Sequence, residues 1–174
     1  MTVLEEVFAG NSLDSFVITY DFEHPAFDDG SEAGHLSLAQ SNVDILGGIE
    51  NGGGNRTFRA SGAQSLEPVR DSNGSGSLQI SISNINNIVY DQFNKLRYYN
   101  NESSNGQVET KVTLRYYLAS NASTPAKPPL LMYVNNISLT RSTALVTATY
   151  RPLYDTYFPR LKYYPQNYNG LKYL

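Results

Sequence analysis

Acidic residues and a histidine crowd one short segment, residues 21–32, where side-chain oxygens could bind a cation. Five carboxylates and one imidazole occur there: Asp21, Glu23, His24, Asp28, Asp29 and Glu32. Calcium prefers oxygen ligands of this kind. However, the acidic residues do not fall at alternate positions ending in Glu, as they do in the twelve-residue calcium loop. We therefore expect a solvated acidic loop without a metal, and the sequence predicts no cofactor.

Other patterns that could support catalysis are incomplete. The glycine-rich segment 47–54 lacks the Gly-Lys-Ser/Thr of a phosphate-binding loop, so we expect a flexible hairpin tip there. The only two histidines are His24 and His35, and Ser61 lacks the Gly-x-Ser-x-Gly pattern of a hydrolase nucleophile. A metal-dependent hydrolase would require bound calcium or zinc. The sequence therefore predicts a protein that is not an enzyme.

Charge is distributed unevenly along the chain. Residues 1–55 contain ten acidic residues and no Lys or Arg, whereas residues 150–174 contain four basic residues and one Asp. This asymmetry favours attraction between an acidic front and a basic tail, within one subunit or between copies. The predicted acidic docking surface consists of Asp21, Glu23, Asp28, Asp29 and Glu32. Four basic residues are few for a nucleic-acid groove, so we expect no nucleic-acid specificity.

The last 25 residues, 150–174, hold seven of the fourteen tyrosines and three of the eight prolines. Proline lacks an N–H donor and fixes φ, so Pro152, Pro159 and Pro165 exclude a continuous helix or a central strand. So many aromatic side chains favour an extended arm that packs on another surface, and we expect that surface to belong to a neighbouring subunit. The predicted interface residues are Tyr150, Tyr154, Tyr157, Phe158, Pro159, Leu161, Tyr163 and Tyr164.

Length and composition set further bounds. A chain of 174 residues suffices for one domain with a core. There is no cysteine, so disulfides and thiolate metal sites are excluded. The first residues lack the positive charge of a signal peptide, and no segment approaches the roughly 20 apolar residues that span a bilayer. We expect a soluble protein, made in a reducing compartment, that does not insert into membranes.

Alternating apolar and polar residues predict a mainly β fold. The predicted strands are residues 16–20, 35–40, 57–60, 78–83, 108–118, 130–139 and 144–150. Turn residues predict a loop at 21–34. We expect a β-sandwich or open barrel in residues 1–150, followed by the arm, residues 151–174.

One amphipathic helix is predicted over residues 85–97. Its apolar positions form a single stripe at helical spacing: Ile85, Ile88, Val89, Phe93 and Leu96. Such a helix would flank one face of the sheet.

Four short stretches carry a resemblance to a known family. They are FVITYDFEHPAF at 16–27, SLQISISN at 77–84, LRYYLAS at 114–120, and the closing steps YRP at 150–152 and YFPRL at 157–161. Over nearly the whole chain they resemble a family of short phage proteins of unknown function, the DUF1833 family. The chain departs from the closing Phe-Pro-Gly-Leu of that family, because Arg160 replaces the glycine.

Proteins of this kind resemble components encoded in phage tail modules, and look like the N-terminal part of the minor tail protein at the tail tip. The resemblance implies a tail-tube-like β fold and a structural role at a tail tip or baseplate hub. It implies a trimeric or hexameric ring of copies that contacts adjacent tail proteins. It also implies synthesis in the bacterial host cytoplasm and a final location in the virion.

An alternative is a carbohydrate-binding module on a phage tail or capsid, with the same β architecture. In that case exposed loop tyrosines such as Tyr98 and Tyr99 would stack on sugar rings.

Overall fold

The computed structural model describes residues 15–28, 32–65, 69–70, 76–83, 88–101, 108–140 and 142–150. The strands are β1 (Phe16–Asp28), β2 (Ala33–Gln40), β3 (Ile45–Gly48), β4 (Asn55–Ser61), β5 (Gln64–Ser65), β6 (Val69–Arg70), β7 (Gly76–Ser83), β8 (Lys111–Leu118), β9 (Leu130–Leu139) and β10 (Thr143–Thr149). The helix α1 spans Ile88–Asn101, and one 3-10 turn spans Glu50–Gly52.

The strands form one mixed sheet in the order β3-β4-β2-β1-β8-β9-β10-β7-β5, and β6 also pairs with β7. The β2–β4 pair is parallel, and the other strand pairs are antiparallel. In the part of the chain that the structure describes, no strand joins β3 to β5, so the sheet is open. The predicted fold class, mainly β with one flanking helix, is confirmed.

The main core lies between one face of the sheet and α1. Strand β7 shows why, because Leu78, Ile80 and Ile82 alternate with exposed residues and are themselves fully buried. From β1, Phe22 meets Phe93 of α1 edge-to-face, with ring centroids 5.7 Å apart. Burial of each such side chain stabilises the fold by about 1.5–3 kcal/mol.

A smaller apolar cluster lies on the opposite face of the sheet and consists of Ala39, Phe58 and Tyr117. The β3–β4 hairpin covers it at very close range. A Cβ atom on Gly47 would lie 2.9 Å from the rings of Phe58 and Tyr117, and one on Gly48 would lie 1.9 Å from the carbonyl oxygen of Ser123. Glycine is therefore required where the hairpin packs on this face.

The predictions of a loop at 21–34 and of a flexible glycine tip at 47–54 were wrong in part. Strand β1 continues through the acidic segment to Asp28, and β2 begins at Ala33. Irregular pairing between Glu23 and Asp28 accommodates Pro25, which cannot donate a backbone hydrogen bond. Gly47 and Gly48 are buried in β3, because contact with the second face orders them.

The helix also differs from its predicted bounds of 85–97. The described part begins at Ile88 and ends at Asn101, four residues later than expected. Residues 98–101 do not continue the apolar stripe of the helix. The sequence pattern therefore did not predict this last helical turn. The strand predicted at residues 108–118 begins at Lys111 rather than at residue 108.

The arm, residues 151–174, lies entirely outside the described residues. Its first predicted contact, Tyr150, is described and packs half-buried against the main core. Among the helices of the described residues, none is long and apolar enough to cross a membrane.

Candidate functional site

Among the described residues, the densest group of charged side chains is an ion cluster centred on Asp21, which is only 3% exposed. Its Oδ1 accepts a hydrogen bond from Ser37 Oγ at 3.1 Å and lies 3.1 Å from His35 Nδ1. Its Oδ2 accepts from Arg115 Nη1 at 3.1 Å and also from Arg56. A buried carboxylate with two guanidinium partners is well compensated.

Strand register explains how residues distant in sequence converge on Asp21. In β1, Tyr20 and Phe22 face the main core, so Asp21 must face the second side of the sheet. Its partner across the β1–β2 ladder is Ser37. On β8, Arg115 pairs with Thr19, two residues before Asp21 and on the same face of β1. The fourth strand, β4, brings Arg56 from the covering hairpin.

The ion cluster extends to two glutamates. Arg115 donates two hydrogen bonds to Glu50, from Nε at 2.8 Å and from Nη2 at 2.9 Å, and this pairing lowers the pKa of Glu50. Arg56 Nη2 forms an ion pair with Glu32. Through these bonds the ion cluster ties β1, β2, β4, β8 and the 3-10 turn together.

The geometry of Ser37, His35 and Asp21 is not that of a nucleophilic triad. A triad needs the serine hydroxyl to be hydrogen-bonded to the histidine that accepts its proton. Here Ser37 Oγ and His35 Nδ1 both contact the same oxygen of Asp21. Within the described ranges, no group of three or more His, Cys, Asp or Glu residues is arranged to hold a metal ion.

The residues of the predicted acidic surface do not lie together in the open. Asp21 is buried and so contributes no exposed charge. Glu23 is exposed and pairs with Lys111 Nζ at 3.4 Å, and Glu32 is paired with Arg56. Asp28 is exposed, and its backbone N–H donates to Gln92 of α1 at 3.0 Å. Asp29 lies outside the described residues.

The predicted arm contacts divide in a similar way. Tyr150 is described, and its N–H donates to the carbonyl of Gly76 at 3.4 Å. The others lie outside the described residues: Tyr154, Tyr157, Phe158, Pro159, Leu161, Tyr163 and Tyr164.

The tyrosines proposed for sugar stacking lie in α1 rather than in a loop. Tyr98 is 73% exposed, whereas Tyr99 is half-buried with its ring 5.3 Å from that of His24.

Sequence reasoning missed a broad uncharged surface on β7, β9 and β10, which we call the open face. It lies opposite the main core, and the β3–β4 hairpin covers the neighbouring strands but not these. Its exposed residues are Ser77, Gln79, Ser81, Leu131, Asn135, Asn136, Ser138, Thr143 and Leu145. None of these residues is charged. The sequence signal for this surface was the alternation of Ser77, Gln79 and Ser81 with apolar residues.

No curated protein matches the sequence significantly. The model of a family described as a domain of unknown function, DUF1833, matches residues 3–163. Because this match covers most of the 174 residues, the chain belongs to the DUF1833 family.

Proposed function

We propose that the protein is a non-enzymatic structural component of a phage tail tip or baseplate hub. In that role it forms a trimeric or hexameric ring with copies of itself, contacts neighbouring tail proteins and resides in the virion. The resemblance of the four motif stretches to phage tail-module proteins supports this role. The observation that carries it is the open face, described above, which has no exposed charged residue on three adjacent strands.

The open face has the composition of an interface centre. Depletion of charged residues is the compositional feature that distinguishes interface cores from the remaining surface. A row across the three strands illustrates it, because Gln79 of β7 pairs with Thr147 of β10, which pairs with Asn136 of β9. Such a surface offers hydroxyl and amide hydrogen bonds without a charge to desolvate.

The open sheet also offers edges for assembly. Strand β3 ends the sheet, and Leu46 in it is 60% exposed beside Val43, which is 67% exposed. A short edge strand with exposed apolar residues can pair with an edge of another copy. The ion cluster holds the β3–β4 hairpin on the rest of the domain, so its charged groups stabilise the fold.

Charge insertion tests the role of the open face in assembly. We expect Gln79→Lys to lower the oligomeric mass of the protein, because the lysine would be desolvated between subunits. The matched control is Ala119→Lys, which adds the same charge at an exposed turn position outside both the open face and the β3 edge. Light scattering after size exclusion measures both. Equal masses for the two variants and the wild type would exclude the open face from the interface.

Sugar binding is a second candidate, favoured by one observation. Tyr98 lines a hollow of about 510 Å³ together with Arg59 and Lys95. An exposed aromatic ring beside hydrogen-bond donors can bind a sugar. Glycan-array binding that is lost in Tyr98→Ala and retained in Gln79→Lys would favour this candidate over the assembly role.

A further inference from the structure

A groove opens the main core to the outside between the second half of α1 and β9, with a volume of about 490 Å³. Phe93 and Leu96 line it from the helix, and Val134, Ile137 and Leu139 line it from the strand. The three β9 side chains are only half-buried although they pack against the main core. The volume is in the range of cavities that bury a ligand, roughly 300–1,000 Å³.

Among the described residues, part of the β9 backbone along this groove has no strand partner on one side. Strand β8 pairs with β9 only over residues 130–133, and the last bond runs from the N–H of Val134 to the carbonyl of Thr110 at 2.9 Å. From residue 135 to Leu139, no strand of the described chain pairs with that edge of β9. An extended segment that adds backbone bonds and apolar side chains fits such a groove.

The arm starts at the mouth of the groove. Thr149 at the end of β10 pairs with Tyr133, which pairs with Lys111 on its other side. The groove begins one residue further, at Val134 and Thr110. Tyr150 already packs against the main core that forms the groove floor.

The other terminal segment, residues 1–14, joins the described chain further from the groove. It precedes β1, whose first residue Phe16 pairs with Leu118. Leu118 lies at the far end of β8 from Thr110, about 25 Å away at the usual rise of a strand. Thus the chain direction favours the arm over the N-terminal segment.

The extent of the family match points the same way. It continues to residue 163, so residues 151–163 belong to the domain that the family shares, and residues 164–174 lie beyond it. Residues 151–163 read RPLYDTYFPRLKY, with apolar and aromatic side chains between two prolines. A segment of that length can span about 40 Å when extended.

We propose that residues 151–163 dock in the groove between α1 and β9 of their own subunit and complete its main core. These residues then pack within the subunit rather than on a neighbour, and residues 164–174 are left for contacts between subunits. The inference holds for this domain whether or not the protein belongs to a phage tail.

Photo-crosslinking of the full-length protein tests the site directly. A benzophenone amino acid replaces Tyr157, and mass spectrometry identifies the residue that it captures after irradiation. We expect capture of residues in α1 or in the 134–139 part of β9, in a product with the mass of one chain. Products with the mass of two chains would show that the arm of a neighbouring subunit occupies the groove. Capture of residues outside the groove would show that the arm does not dock there. Either result would overturn the proposal.

Limited trypsin cleavage tests the same contact without a modified residue. We expect the bonds after Arg160 and Lys162 to be protected in the wild type, while the bond after Lys172 is cleaved quickly and serves as the internal reference. Ile137→Asp in the groove should speed cleavage after Arg160 about tenfold, because it releases the docked segment. Phe16→Asp, at the exposed start of β1 and outside both the groove and the open face, is the control and should leave that rate unchanged. Equal rates in the two variants, or rapid cleavage after Arg160 in the wild type, would overturn the proposal.

Discussion

At the scale of single residues, Asp21 is the group on which the ion cluster depends. We expect Asp21→Asn to lower the free energy of unfolding by about 3–5 kcal/mol, because the buried guanidinium groups of Arg56 and Arg115 would lose their shared carboxylate. Urea denaturation measures the change. The control is Glu23→Gln, which breaks the exposed pair with Lys111 and should cost less than about 1 kcal/mol. Equal losses in the two variants would contradict the structural role assigned to Asp21.

His24 gives the fold a dependence on pH. Burial lowers the pKa of His24, and the side chain of Asn100 partly opposes the shift. The neutral ring accepts a hydrogen bond at Nδ1 from the N–H of Ala26, at 3.1 Å, and protonation at Nδ1 would remove that acceptor.

Because the pKa of His24 is lower in the folded than in the unfolded state, the unfolded state takes up the proton first as pH falls. We therefore expect the free energy of unfolding to decrease as pH falls below about 6.5 toward the lowered pKa. His24→Gln, which cannot titrate, should show a smaller slope in this window. Denaturation at a series of pH values measures it, and identical slopes for variant and wild type would refute the assignment.

At the scale of elements, the β3–β4 hairpin depends on the absence of a side chain at Gly48. Its N–H donates to the carbonyl of Ala122 at 2.9 Å, and its carbonyl accepts from Tyr117 Oη at 3.0 Å. We expect Gly48→Ala to cost about 1–3 kcal/mol through overpacking against the backbone of Ser123.

Hydrogen exchange should locate the effect of Gly48→Ala. Amides of β3 and β4 should exchange faster in the variant, while those of β7 and β10 should change less, because the latter lie at the other end of the sheet. The control is Thr57→Ala, at an exposed position of the same hairpin. Faster exchange of the hairpin in the control as well would show that the close approach of Gly48 is not the cause.

The elements that the sequence predicted well are those with one buried face. Alternation in β7 and β9 reflects burial on the main core, so a local pattern is enough to find them. Strand β1 was cut short because its second half carries acidic residues and a proline, which are typical of turns. Here pairing with β2 and β8 overrides local preference.

The ion cluster could not be predicted from local spacing. Arg56 lies 35 residues and Arg115 lies 94 residues from Asp21 in the sequence, so only the register of four strands brings them together. The sequence therefore predicted an acidic surface at residues 21–32, although Asp21, the first of them, is buried in the ion cluster. The four motif stretches predicted membership of the DUF1833 family, which the match over residues 3–163 confirms.

At the scale of the whole molecule, we propose that this domain assembles with copies of itself into a ring. The most direct test is the mass of the full-length wild-type protein in solution, measured over a range of concentrations by analytical ultracentrifugation. We expect a species three or six times the 19.3 kDa of one chain. A monomer at every concentration, which stays monomeric when the products of neighbouring genes are added, would contradict this proposal.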